Sequence, residues 1–158
     1  ANAGRLLSYW RAHGWPLVHI GHASTNPKSP LQGAGTAFKP EVQPLEGEVV
    51  MMKNVNSGFI GTQLEQYLRD QGITHLVICG LTTPHCVSTT ARMAANLGFA
   101  VTLAGDACAA FTSSADTSFD DGPTMTAEDI HRAALAHVHG EFVTVVGTDA
   151  ILDDGTKA

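Results

Sequence analysis

His75-Leu76-Val77-Ile78-Cys79-Gly80-Leu81-Thr82-Thr83-Pro84-His85-Cys86-Val87 passes from an apolar, β-rich run into a turn and then into a helical pattern that stops at Gly98. The run at 75–79 is continuous rather than alternating, so it reads as a strand buried on both faces, as in a parallel sheet. Thr83 suits the N-cap of the helix and Pro84 its first residue, where a missing N–H costs nothing. Val87, Thr90, Ala91, Ala94 and Leu97 then fall on one face, and their small size suits close packing. Cys86 is thereby set in the first turn of a helix just beyond a buried strand. Backbone N–H groups at such a start favour negative charge, so a thiol there ionises more readily than a free one. The same groups can hold an oxyanion. The plainer alternative is a half-buried structural cysteine.

Working outward, the same grammar repeats. Residues 2–13 read as a helix with Leu6, Leu7 and Trp10 on one face and Gly14 at its C-terminal cap. Leu17 to Ile20, Glu48 to Met52, Phe99 to Leu103 and Phe142 to Val146 read as further strands. Thr62 to Glu65 has the form of a capping box ahead of Leu64 and Leu68. Thr126 to Asp129 opens the last main helix, with Ile130, Ala134, Leu135 and Val138 inward. Two long connections, 22–47 and 107–125, are rich in Pro, Gly, Ser and Thr, and suit lids or binding loops. Residues 150–158 read as a short tail. The fold class is α/β with a mostly parallel, doubly wound sheet. A chain that opens on a helix leading into a buried strand looks as if a first strand were missing before it.

Composition narrows the partners. The 158 residues suit one domain, 1–158, with 44% hydrophobic and 15% charged content. A net charge of −6 with no Lys/Arg cluster argues against nucleic acid or an anionic membrane surface. No apolar run reaches transmembrane length. Three cysteines, Cys79, Cys86 and Cys108, are odd in number and lack metal-type spacing, which fits a reducing, cytoplasmic setting.

In parallel α/β sheets the site lies beyond the C-terminal strand ends. That rule collects His22, Lys53, Thr82 to Cys86 and Asp106. Lys53 closes a strand, where most lysines are simply solvated. Beside a thiolate it would stabilise the ionised sulfur. His85 adjoins Cys86, but helical neighbours do not face each other, so a Cys-His dyad is disfavoured. His19 and His22 lack an Asp-x-His or His-x-x-x-His partner, so no metal is expected. No phosphate-binding glycine motif follows a strand, and no cofactor is expected.

Taken together, Lys53-Asn54-Val55-Asn56-Ser57-Gly58-Phe59-Ile60-Gly61-Thr62, the Gly80–Arg92 segment, Val18 to Ser24 and Asp106-Ala107 resemble the isochorismatase-like cysteine hydrolases. The resemblance implies a three-layer α/β/α sandwich around a six-stranded sheet. It implies Cys86 as nucleophile and Lys53 as the middle member of an Asp-Lys-Cys triad. It also implies a cis peptide between Leu81 and Thr82, with the Thr82 and Cys86 N–H groups as oxyanion hole. His22, Phe59 and His85 are candidates to line the pocket of a small-molecule substrate. Gly58 replaces the family's usual Ala. No aspartate here matches the triad's acid, which the family carries on its first strand, so the expectation is a chain retained from a longer protein. The implied activity is hydrolysis of a small amide or related C–N bond through an acyl-enzyme, in a homo-oligomer. The competing expectation is a catalytically idle member serving as a binding or assembly subunit.

Overall fold

The computed structural model describes residues 1–153. The expected tail 154–158 lies outside the described residues. The elements alternate: α1 (Asn2–His13), β1 (Val18–His22), β2 (Val49–Lys53), α2 (Leu64–Asp70), β3 (His75–Leu81), α3 (Ser88–Asn96), β4 (Ala100–Ala109), α4 (Ala127–Val138), β5 (Thr144–Val146) and α5 (Thr148–Asp153).

Among the described residues every strand pairing is parallel. β1 pairs with β2 in a register that sets His22 opposite Lys53. β3, β4 and β5 pair in that order. Among the described residues β1 and β3 are not hydrogen-bonded to each other, so the strands form a pair and a triplet. Helices cover both faces. The larger core joins Leu64, Leu68, Val87, Ala91, Ala94 and Val138 from the α2, α3 and α4 side to Val101 and Leu103 of β4. On the other face Leu6 of α1 and Ile151 of α5 meet Ala104. This is a three-layer α/β/α sandwich. Leu103 is fully buried, and a leucine in that state contributes about 1.5–3 kcal/mol. Ala91 and Ala94 have no exposed surface; their small size lets α3 lie close on the sheet.

Local chemistry sets the ends. Gly14 has φ 62°, a left-handed geometry open to glycine, and its N–H closes α1 on Arg11 O. Thr126 and Asp129 form a reciprocal cap on α4, with Asp129 N donating to Thr126 Oγ1 and Thr126 N to Asp129 Oδ2, each at 3.1 Å. Thr62 and Glu65 do not. The Thr62 hydroxyl donates to Gly58 O at 2.6 Å, and Glu65 turns to Arg69 one helical turn on. Among the described residues no helix is long and apolar enough to cross a membrane.

Two elements differ from the sequence reading. β4 does not stop near Asp106 but runs to Ala109, because an irregularity between Ile78 and Gly80 re-registers Gly80 with Cys108 and Leu81 with Ala109. Residues 148–153 form α5 rather than part of a tail. Asp106, expected at a strand end, lies within β4 and accepts hydrogen bonds from Thr148 N (2.8 Å) and Thr148 Oγ1 (2.7 Å) at the start of α5.

Candidate active site

The turn that carries Cys86 is not a plain helix start. Thr83–Val87 forms a single π-type turn before α3 takes over at Ser88. Val87 N and His85 N both donate to Thr82 O, each at 3.2 Å. Thr83 is therefore inside the turn rather than its N-cap. It is 1% exposed, and its hydroxyl lies 2.7 Å from His131 Nδ1 on α4. The peptide between Leu81 and Thr82 is cis. The turn carries Cys86 at the C-terminal end of β3, as the strand-end rule requires.

β2 brings the second group. Lys53 is its last residue and is only 5% exposed, which is rare for a lysine and costly unless its charge is compensated. Its Nζ lies 3.2 Å from Cys86 Sγ, 2.9 Å from Val55 O and 2.8 Å from His22 Nδ1. Among the described residues no carboxylate lies within ion-pair distance of it. His22, the last residue of the neighbouring strand β1, also reaches Cys86 Sγ, at 3.6 Å. Burial, and after it the charge of Lys53, push the His22 imidazole below its ordinary value, while the Asn54 backbone opposes the shift. The ring is therefore neutral at neutral pH.

The other two cysteines are chemically different. Cys79 reaches solvent, yet the protein packed around it pushes its thiol up to about 11. Burial pushes Cys108 up to about 12. Both are thiols at neutral pH, when reactivity belongs to thiolates.

Three of the remaining sequence candidates behave differently from one another. Thr82 lies at the head of the turn that carries Cys86. His85 is exposed and turned toward Thr82 Oγ1 at 3.3 Å. Phe59, expected in the pocket, is instead buried in the main core and stacks on Phe99 with ring centroids 6.0 Å apart. Its backbone is held by Ser57 Oγ, so the segment after Lys53 turns this ring inward. A groove of about 730 Å³ between α3, α4 and the 110–126 connection is lined by residues including Pro84, Ser88, Arg92 and His137; Cys86, Lys53 and His22 do not line it. The direct contact of His22 with both Lys53 and Cys86 was not readable from the sequence. Its position opposite Lys53 in the β1–β2 register was the one available signal.

A parallel α/β sandwich with a cysteine in a helix-start turn, against a buried lysine at a strand end, defines a class of cysteine-hydrolase-type proteins. Residues 1–150 match the Isochorismatase domain model, and the chain belongs to the isochorismatase family. It is 45% identical over 160 residues to the uncharacterized isochorismatase family protein YrdC of Bacillus subtilis, covering 99% of this chain and 82% of that one. The crystal structure of an isochorismatase-family protein from Chromobacterium violaceum superposes with a TM-score of 0.86 at 43% identity, over 96% of this chain and 78% of that one. A more distant relative is the ureidoacrylate amidohydrolase of Klebsiella pneumoniae, 32% identical over 115 residues, covering 58% of this chain and 48% of that enzyme.

Proposed function

We propose that the protein is a cysteine-dependent hydrolase of a small amide or related C–N bond. The observation that carries this reading is the 3.2 Å approach of Lys53 Nζ to Cys86 Sγ. A buried ammonium against sulfur favours the thiolate, which is the nucleophilic form.

The steps follow from that pair. Cys86 Sγ attacks the carbonyl carbon, and the Thr82 and Cys86 N–H groups stabilise the oxyanion. The C–N bond breaks as the leaving amine takes a proton from Lys53, which leaves a thioester on Cys86. Water then attacks the thioester and gives its proton back to Lys53. The acid departs and the thiolate–ammonium pair is restored. No cofactor enters these steps. Similarity to an amidohydrolase supports the bond class. A reducing, cytoplasmic setting and a homo-oligomeric state go with this reading; three free cysteines support the former.

A panel of small amides, with Cys86→Ala as control, tests it. The expected result is turnover of at least one amide that falls about 10³-fold or more in Cys86→Ala, with the circular dichroism spectrum unchanged. Unchanged turnover in Cys86→Ala overturns the mechanism. No turnover, together with Cys86 alkylation as slow as that of Cys79 and Cys108, favours the idle binding subunit.

A further inference from the structure

We propose that His131 is a positioning residue of this site: through the buried Thr83 hydroxyl it fixes, from the helix layer, the π-type turn that presents Cys86 to Lys53. The inference rests on the hydrolase reading above and adds to it a residue on α4.

The turn needs such a hold. Thr83–Val87 is a wide turn of a rare kind. Val87 N and His85 N share one acceptor, Thr82 O, each at 3.2 Å, the long end of the range for such bonds. The turn is buried at its two ends: Thr83 is 1% exposed and Val87 5%, while Pro84, His85 and Cys86 between them reach the surface. Val87 packs in the main core. Apolar packing is non-directional, so it sets the depth of the turn and not its rotation. Thr83 is held by direction, with Oγ1 2.7 Å from His131 Nδ1. Apart from the contacts of Cys86 itself, this is, among the described residues, the one side-chain hydrogen bond from the turn to another helix or strand.

α4 makes a firm support. Thr126 and Asp129 cap it reciprocally, and Ile130, Ala134 and Val138 are buried along it. A hydroxyl both donates and accepts, and Nδ1 does either according to where the ring carries its proton. The contact therefore persists in every protonation state of His131; it is a strut and not a switch. Stability alone does not call for it, because a buried polar pair replaced on both sides by apolar groups of like shape loses little. What the polar pair adds is a fixed rotation of the turn. Cys86 lies three residues beyond Thr83 within it, and its Sγ stands 3.2 Å from Lys53 Nζ. A contact of that kind weakens steeply with distance and angle. A turn free to rock about Val87 takes the sulfur off the ammonium and lowers the thiolate fraction.

The test needs no substrate. Cys86 alkylation by iodoacetamide is followed by peptide mass mapping across the pH range, in wild type, Thr83→Val, Thr83→Ser and the double variant Thr83→Val with His131→Leu. Each protein is also melted by circular dichroism. Thr83→Val keeps the shape and removes the hydroxyl. It is expected to alkylate about fivefold more slowly at neutral pH, with its pH profile displaced upward by about 0.7 unit. Thr83→Ser keeps the hydroxyl and is expected within about twofold of wild type. The double variant separates holding the fold from positioning the sulfur. It has no orphaned ring nitrogen, so its Tm is expected within about 4 °C of wild type, while its alkylation stays as slow as that of Thr83→Val. A double variant that recovers both stability and rate, or an unmoved pH profile in Thr83→Val, overturns the proposal. Where a valine variant does not melt cooperatively, His131→Leu alone is read for the same displacement, and an unmoved profile there overturns it equally. These outcomes leave fast wild-type alkylation, and the hydrolase reading, standing. Wild-type Cys86 alkylation no faster than that of Cys79 and Cys108 sinks both.

Discussion

A double-mutant cycle across Lys53 and Cys86 asks whether the resting site is an ion pair. The perturbations are Lys53→Met, Cys86→Ala and the two combined. At the 3.2 Å separation of Nζ and Sγ, two unit charges attract by about 5 kcal/mol at an effective dielectric of about 20. Desolvating both ions consumes several kcal/mol of that. A charge-assisted hydrogen bond in a partly buried site nets roughly 1.5–3 kcal/mol. Either single variant leaves one charged group behind, which neutralises or finds water and so limits its own cost. The expected coupling is therefore about 2 kcal/mol. A chain of this length converts that to a non-additivity of about 4–8 °C in Tm. Thermal unfolding by circular dichroism at pH 7.5 reads it. The double variant is expected to lose less than the sum of the singles, because removing both partners removes the desolvation penalty too. Additivity within about 0.5 kcal/mol would mean a neutral amine beside a neutral thiol and would refute the reasoning from which the thiolate is argued.

The Glu48 carboxylate accepts from Arg11 Nε at 2.7 Å, from His19 Nε2 at 2.8 Å and from Leu45 N at 2.8 Å, tying α1 and β1 to the start of β2. Arg11 first, then Leu45 and His19, hold it down at about 2, against burial acting the other way. A depressed carboxylate adds stability that is present above its unfolded value and is lost as pH falls toward the folded one, so Tm drops between about pH 4.5 and 2; Glu48→Gln is expected to flatten that limb, and an identical acid profile in the variant counts against the network. Thr83→Val removes the 2.7 Å contact to His131 and is expected to cost about 1–2 kcal/mol and to slow Cys86 alkylation; adding His131→Ala should cost no more than the worse single variant, and full additivity by thermal melting refutes a shared contact. Gly58→Ala is expected to stabilise by about 0.5 kcal/mol, since the new Cβ meets Thr90 Cγ2 at 3.3 Å and Leu64 Cδ2 at 3.5 Å, close contacts that those side chain ends can relieve; a fall in Tm of more than about 2 °C shows that the neighbours do not yield.

What the sequence revealed and what it hid divide by range. α1 and α4 were legible because their stops and starts are local: Gly14 closes one, and the Thr126–Asp129 pair opens the other. The Thr62–Glu65 pattern has equally good local form and fails, because the Thr62 hydroxyl oxygen accepts from Leu64 N rather than from Glu65 N, and the Glu65 carboxylate pairs with Arg69 instead of turning back. α5 was hidden for the opposite reason. The acceptor at its first residue comes from Asp106, on a different strand. The tail of β4, Asp106-Ala107-Cys108-Ala109, has little strand propensity and is extended by its pairing with Gly80 and Leu81. The site follows the same division. Cys86 announces itself through the Thr-Pro that opens its turn, and Lys53 through its place at a strand end. His22 carries no local mark: a histidine closing a short strand reads the same whether it packs, binds or positions. Its meaning comes from the β1–β2 register, which sets it opposite Lys53. A slip of one residue would turn it to the other face of the sheet, beside Phe38 and Glu48, where His19 sits instead. The register is held by the apolar alternation that puts Val18, Ile20 and Met51 against the main core. The chemistry at the end of the strand is thus fixed by hydrophobic residues that take no part in it.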